Sequence, residues 1–239
     1  MSRDQENKLP IVTLDGPAGV GKTTLARALA GRLGICYLDT GAMFRTLALK
    51  LGLEAETMTA SELSEACAQY TFTVQGKGEE TTLFCNGEAV TSAIRTEEVG
   101  ALASRLAKLS ALRTILADAQ RAIGAQYPLV AEGRDMGTVI FPKAAVKFFL
   151  DADPGVRALR RLKDAKNTTE TQDLAAITEQ IRQRDIQDRT RAIAPLKPAD
   201  DACLIDTSKM TIPDVLNTML TEIKKRGADT FFQAGAIAL

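Results

Sequence analysis

Gly16-Pro17-Ala18-Gly19-Val20-Gly21-Lys22-Thr23-Thr24 follows the apolar run Leu9-Pro10-Ile11-Val12-Thr13-Leu14. A glycine-rich turn therefore stands where a buried strand ends and a helix begins. From Gly16 to Thr23 the spacing is G-x-x-x-x-G-K-[ST], and strand, turn and helix together build an anion site from backbone N–H groups at a positive helix end. The glycines permit positive φ and close phosphate approach, Lys22 can reach the β and γ oxygens of a nucleoside triphosphate, and the Thr23 hydroxyl is the expected Mg²⁺ ligand. The competing reading is a plain Gly-rich loop before an amphipathic helix.

Outward from this turn the pattern repeats. Short apolar runs at Ile11 to Leu14, Ile35 to Leu38, Leu129 to Ala131, Val146 to Leu150 and Cys203 to Ile205 lack polar alternation, as strands buried on both faces of a parallel sheet do. Helix-period segments lie between them at roughly 22–33, 42–52, 97–109, 112–126, 155–166, 174–192 and 212–226. The alternation predicts an α/β fold with ligands at the carboxyl ends of the strands. Tyr70 to Val90 breaks the rhythm with period-two alternation and an Asn86-Gly87 turn signal, so a small antiparallel β insertion is expected there. Residues 163–173 read as an exposed loop, and the tail 227–239 carries no clear pattern and is expected to be disordered in part.

At 239 residues and 45% hydrophobic, the chain is long enough for a full core, most simply a single domain. Thirty basic residues balance thirty acidic ones, which argues against a nucleic-acid or anionic-membrane partner. Cys36, Cys67, Cys85 and Cys203 form no C-x-x-C pair and no apolar run spans a bilayer, so a cytoplasmic protein with reduced thiols is expected. There is no histidine. Ser-His-Asp hydrolysis, H-E-x-x-H zinc chemistry and an imidazole base are thereby excluded, whereas phosphoryl transfer needs mainly positioning and cations.

The cations are arginines at telling positions. At 100° per residue, Leu174, Ile177, Ile181, Arg184, Asp188 and Arg191 fall within one arc of about 100°. An inward apolar stripe thus turns into Arg-Asp-Arg, as a helix lining a cleft would; the alternative is an exposed Arg184–Asp188 pair. Arg134 and Asp135 follow the strand Leu129 to Glu132 and Gly133; Asp39, Thr40 and Gly41 follow the strand ending at Leu38, and Arg45 lies one turn into the next helix. Arg157, Arg160 and Arg161 open the helix before the polar loop and are placed to close over a triphosphate, with surface snorkelling as the alternative.

Gly16 to Thr24, Asp39-Thr-Gly-Ala-Met-Phe-Arg45, Ile94-Arg-Thr-Glu-Glu-Val99, Gly133-Arg-Asp-Met-Gly-Thr-Val139 and Arg184-Asp-Ile-Gln-Asp-Arg-Thr-Arg-Ala-Ile-Ala-Pro-Leu196 together resemble the bacterial cytidylate kinase family across nearly the whole chain. The resemblance implies a P-loop kinase three-layer fold with a five-stranded parallel sheet. It further implies a monophosphate-binding region at 41–110 carrying the β insertion near residues 70–95, and a lid at 158–174. The implied reaction is ATP-dependent phosphorylation of CMP and dCMP by a monomeric enzyme with Mg²⁺.

By the same resemblance, Gly16, Pro17, Ala18, Gly19, Val20, Gly21, Lys22, Thr23 and Thr24 hold ATP; Arg157 and Arg161 are assigned to ATP by their position, since the lid residues show little detailed likeness. Arg45, Arg134 and Arg191 hold the acceptor phosphate, and Arg184 and Asp188 contact the ribose. Ser104, Arg113 and Asp135 read the cytosine edge, with Thr40 and Gly133 in the same site; Lys22, Arg134 and Arg191 are the expected catalytic cations. Phe44 stands where the family often has Tyr and lacks its hydroxyl. A uridylate or dephospho-coenzyme A kinase remains the alternative enzyme, and a nucleotide switch the alternative outside enzymes.

Overall fold

The computed structural model describes residues 9–164 and 173–228. Residues 165–172 of the expected exposed loop and lid, and 229–239 of the tail, lie outside the described residues. Five parallel strands form the central sheet: β1 (Ile11–Asp15), β2 (Cys36–Asp39), β6 (Leu129–Gly133), β7 (Val146–Asp151) and β8 (Cys203–Asp206), in the order β2-β6-β1-β7-β8. Each apolar run read from the sequence became one of these strands. Val12, Leu14, Val130, Phe148 and Leu150 are almost wholly buried, and each such side chain stabilises the fold by about 1.5–3 kcal/mol.

Helices cover both faces. On one side α1 (Lys22–Leu33) and α8 (Ile212–Lys225) pack over Val12, Leu14 and Phe148. On the other, α2 (Thr40–Leu51), α4 (Glu97–Leu106) and α5 (Ser110–Gln126) close a second core around Leu38, Leu106, Leu112 and Ala131. Thr211 caps α8 with Asp214 in a capping box and Pro213 sits in its first turn, as a missing N–H there allows.

The expected insertion is an antiparallel sheet of β3 (Phe72–Gln75), β4 (Thr82–Cys85) and β5 (Glu88–Ala89). Its last two strands are joined by Asn86 and Gly87 at φ 53° and 79°, the left-handed pair that a two-residue hairpin requires. Helix α3 (Ala60–Ala68) was not read from the sequence, although Thr59 and Glu62 form its capping box and Leu63 and Cys67 its buried face.

Two further helices stand over the carboxyl ends of the strands: α6 (Pro154–Asp164) and α7 (Leu174–Thr190). Ile177 and Ile181 of α7 pack on Ala158 of α6. The inward stripe of α7 does pass from Ile177 and Ile181 to Arg184 and buried Asp188. It does not carry Arg191 within the helix. That residue is already extended at φ −61°, ψ 141°, because the chain turns here through Ala194 at φ 49° and returns its Leu196 N–H to the Asp188 carbonyl at 2.8 Å.

Candidate active site

The strand register sets the floor of the cleft. Asp15 of β1 lies beside Gly133 of β6, and Asp39 of β2 beside Glu132, so three carboxylates gather within one residue of each other at the strand ends. Directly after Asp15 the chain makes its glycine-rich turn. A side chain at Gly16 (φ 151°) would meet the Leu150 carbonyl oxygen at 2.2 Å, so only glycine lets the loop pass β7. Lys22 opens α1 and folds back, its Nζ donating to the carbonyls of Gly16 at 2.9 Å and Pro17 at 2.7 Å. Burial and the Arg134 guanidinium pull its ammonium down to about 7. The lysine is held inside its own loop, where Glu132, Asp15 and Asp188 offset only part of the effect of burial.

Two compartments meet over this loop. The larger, about 1490 Å³, is lined by Ala18, Gly19, Gly21, Lys22, Thr23 and Thr24 on one side and by Arg160, Arg161 and Arg184 on the other. The smaller, about 240 Å³, gathers Thr40, Arg45, Ser104, Arg113, Gly133, Arg134, Asp135, Arg184, Asp188 and Arg191. Every residue that the resemblance assigned to the acceptor therefore lines one pocket. Lys22, Thr23 and Arg184 border both compartments, and the junction lies between them.

Charges in the smaller pocket are arranged in opposition. Arg134 Nε donates to Asp188 at 2.8 Å, Arg113 donates to Asp135, and Arg191 reaches the same carboxylate at 3.4 Å. Burial pushes the Asp188 carboxyl up, but Arg134, Arg184 and Arg191 outweigh it and hold it below the usual range. Arg184 has fewer partners: its Nε is buried without a hydrogen bond among the described residues. Burial and then Arg134 pull it down to about 10. Arg45 and Arg191 are lowered in the same way, by burial first and then by neighbouring arginines. Such a crowd of desolvated cations gains most from a polyanion.

The other expected contacts separate into two groups. Arg161 lines the larger compartment and pairs with Glu97 of α4 across its mouth; an exposed pair of this kind is worth about 0–1 kcal/mol, so Arg161 exchanges partners readily. Arg160 donates to the Thr207 hydroxyl and carbonyl. Arg157, expected at the triphosphate, lies elsewhere. It is 1% exposed, does not line the cleft, and donates to both carboxylate oxygens of Asp185 on α7, to the Ala152 carbonyl at 2.9 Å and to the Ala18 carbonyl at 3.1 Å. Its guanidinium braces the loop from behind. Pro17 and Val20 shape the loop without lining either compartment, and Val20 is buried in the core.

Three carboxylates at the site carry no role in the sequence reading, although Asp39 is named there at its strand end. Glu132 lines both compartments, accepts a hydrogen bond from the Tyr37 hydroxyl, and is raised to about 6 by burial and by Asp39; a carboxylate inside an otherwise apolar strand was the available signal. Asp39 caps α2 through the Ala42 N–H and pairs at 2.7 Å with Arg95, which lines the larger compartment. Asp15 accepts from the Met136 and Gly137 N–H groups.

Comparison with known proteins gives one answer. A family model described as cytidylate kinase matches residues 12–225. The cytidylate kinase of Nitratidesulfovibrio vulgaris is 54% identical over 218 residues, covering 91% of this chain and 94% of that protein. That of Oleidesulfovibrio alaskensis is 53% identical over 214 residues, covering 90% and 98%. A cytidylate kinase of Lawsonia intracellularis is 49% identical over 213 residues, with 89% and 95% covered.

Proposed function

The chain belongs to the cytidylate kinase family and is a nucleoside monophosphate kinase that phosphorylates CMP and dCMP with ATP as donor, and we propose that the smaller compartment holds the monophosphate and the larger one the triphosphate. The observation that carries this reading is the Arg113–Asp135 pair at the end of the smaller pocket. Side by side they offer a donor and an acceptor. Cytosine presents the complement, an exocyclic amine that donates and N3 and O2 that accept. Uracil would turn O4 toward the Asp135 carboxylate and lose the pairing.

Arg45, Arg134 and Arg191 surround the acceptor phosphate in this reading, Arg184 and Asp188 meet the ribose, and Ser104, Thr40 and Gly133 complete the pocket. On the donor side the backbone N–H groups of the loop cradle the triphosphate, and Lys22 leaves the Gly16 and Pro17 carbonyls for its β and γ oxygens. Lys22, Arg134 and Arg191 then neutralise charge as the phosphoryl passes, which is the main catalytic need of this chemistry. The acceptor phosphate is already anionic, so no base is required. Arg161, with the remainder of a lid at 158–174, closes the triphosphate side.

The Thr23 hydroxyl and the Glu132 carboxylate both border the two compartments, and such hard oxygen donors beside the loop fit Mg²⁺. Thr23 would hold the ion there, and Mg²⁺ when bound would supply charge neutralisation for the triphosphate. A monomer in the cytoplasm with no nucleic-acid partner belongs to the same proposal; among the described residues no helix is long and apolar enough to cross a membrane.

The test is ADP release in a coupled assay. CMP and dCMP should stimulate turnover strongly. Far faster turnover with UMP or dephospho-coenzyme A would overturn the acceptor assignment, and no acceptor-stimulated turnover at all would favour a nucleotide switch.

A further inference from the structure

Asp135 occupies the residue before the π-helical segment Met136–Ile140, with φ −144° and ψ 22°. An aspartate at the start of a helical turn ordinarily spends its carboxylate on the turn's own free N–H groups. Here Asp135 makes no such bond. Two of the turn's first three N–H groups, one of them at a position a capping side chain takes, go instead to a residue of another strand: Met136 N–H donates to Asp15 Oδ1 at 2.8 Å and Gly137 N–H to Asp15 Oδ2 at 2.7 Å. Asp15 is 4% exposed, and a side chain at Gly137 would crowd Thr13 Oγ1 at 3.0 Å.

We infer that Asp15 is a positioning residue for acceptor specificity: by capping the 136–140 turn from β1, it frees the Asp135 carboxylate to face the smaller pocket. The inference rests on the assignment of Asp135 to the cytosine edge. The same residue is followed directly by Gly16, so one carboxylate fixes the acceptor-reading loop against the start of the donor loop. A carboxylate is needed because two parallel N–H groups require an acceptor on both branches. An asparagine supplies only one and sets its NH₂ against the other N–H. Asp135 then becomes the nearest acceptor for the vacated N–H, and turning back to cap it would withdraw its carboxylate from the pocket.

Steady-state kinetics of the full chain with CMP and with UMP, before and after D15N, test this. The expected result is a fall of about tenfold in kcat/KM for CMP, a fall in the CMP-to-UMP ratio of roughly fivefold or more, and a KM for ATP within about twofold of the original. A uniform loss with both acceptors and an unchanged ratio would overturn the inference and leave Asp15 as a fold support. Hydrogen exchange on the unsubstituted protein is the second arm and is independent of how well D15N folds. Met136 and Gly137 N–H should be protected to the level of the central strands without nucleotide, and fast exchange there would overturn the tie. Should the unsubstituted protein show no preference for CMP over UMP, the Asp135 assignment itself fails, an outcome distinct from a preference that D15N leaves intact.

Discussion

Asp185→Ala should destabilise this enzyme severely even though Asp185 lies outside the cleft. Its carboxylate is the sole anionic partner, among the described residues, of the Arg157 guanidinium, whose side chain is 2% exposed. Removing it leaves a buried cation with only the Ala152 and Ala18 carbonyls, a situation that costs about 3–5 kcal/mol. A chain of this size loses about 2–4 °C of Tm per kcal/mol, so the fall should be roughly 6–20 °C. Replacing both residues, R157M with D185A, removes the stranded charge and should recover much of the loss, so the two single effects should sum to well over the double. Thermal and urea unfolding followed by circular dichroism give all four corners of the cycle. A D185A protein within about 1 kcal/mol of the original, or strictly additive effects, would refute the reasoning and return Arg157 to the mobile triphosphate clamp that its position in the sequence suggests. A clamp would raise KM for ATP and leave Tm alone.

Lys22→Ala should cut turnover by about 10²–10³-fold or more while far-UV circular dichroism and cooperative melting persist; concurrent unfolding would contradict the assignment of Lys22 to the phosphoryl group. Asp188→Ala should raise KM for CMP roughly tenfold, since Arg134 loses its 2.8 Å partner, with KM for ATP changed less than about twofold; equal effects on both substrates would count against two compartments. Burial raises the Asp15 carboxyl from 3.8 to about 6. A raised acid pKa means the folded state holds its proton more tightly, so the stabilisation is present below pH 4 and lost as pH rises through 6. The stability of the nucleotide-free enzyme minus that of D15N should therefore fall by about 3 kcal/mol between pH 4 and 7. Urea midpoints across that range check it, and a flat or rising difference would contradict the burial argument.

Local signals carried far in this chain. The apolar runs became the five strands because parallel strands buried on both faces need no alternation, and Asn86-Gly87 became a hairpin because its left-handed geometry is a property of two residues. The pocket residues were legible because arginines at strand ends and on a buried helix face violate the usual pattern, and the strand order then brings those ends together. What escaped depended on partners far along the chain. Arg157 and Arg161 are one helical turn apart and identical in type, yet one is buried against Asp185 and the other lines the cleft; nothing near them in sequence distinguishes the two. Arg191 kept its place in the pocket but not in α7, since the turn toward Pro195 ends the helix first. Asp15 and Glu132 looked like ordinary strand ends until the register set them beside Gly133 and Asp39. Helix α3 was passed over although Thr59 and Glu62 spell its capping box, because only Leu63 and Cys67 mark its buried face.

In the proposed reading the Arg113–Asp135 pair sets a preference for cytosine. Its most direct measurement is the ratio of kcat/KM for CMP to that for UMP, taken for the enzyme and for D135N. A good paired contact to a base edge discriminates by about 1–3 kcal/mol, so the enzyme should prefer CMP by roughly 5- to 150-fold. An amide at 135 can donate to uracil O4, so D135N should bring the ratio close to one. A ratio near one in the enzyme itself, or a preference for CMP that survives D135N unchanged, would contradict the account.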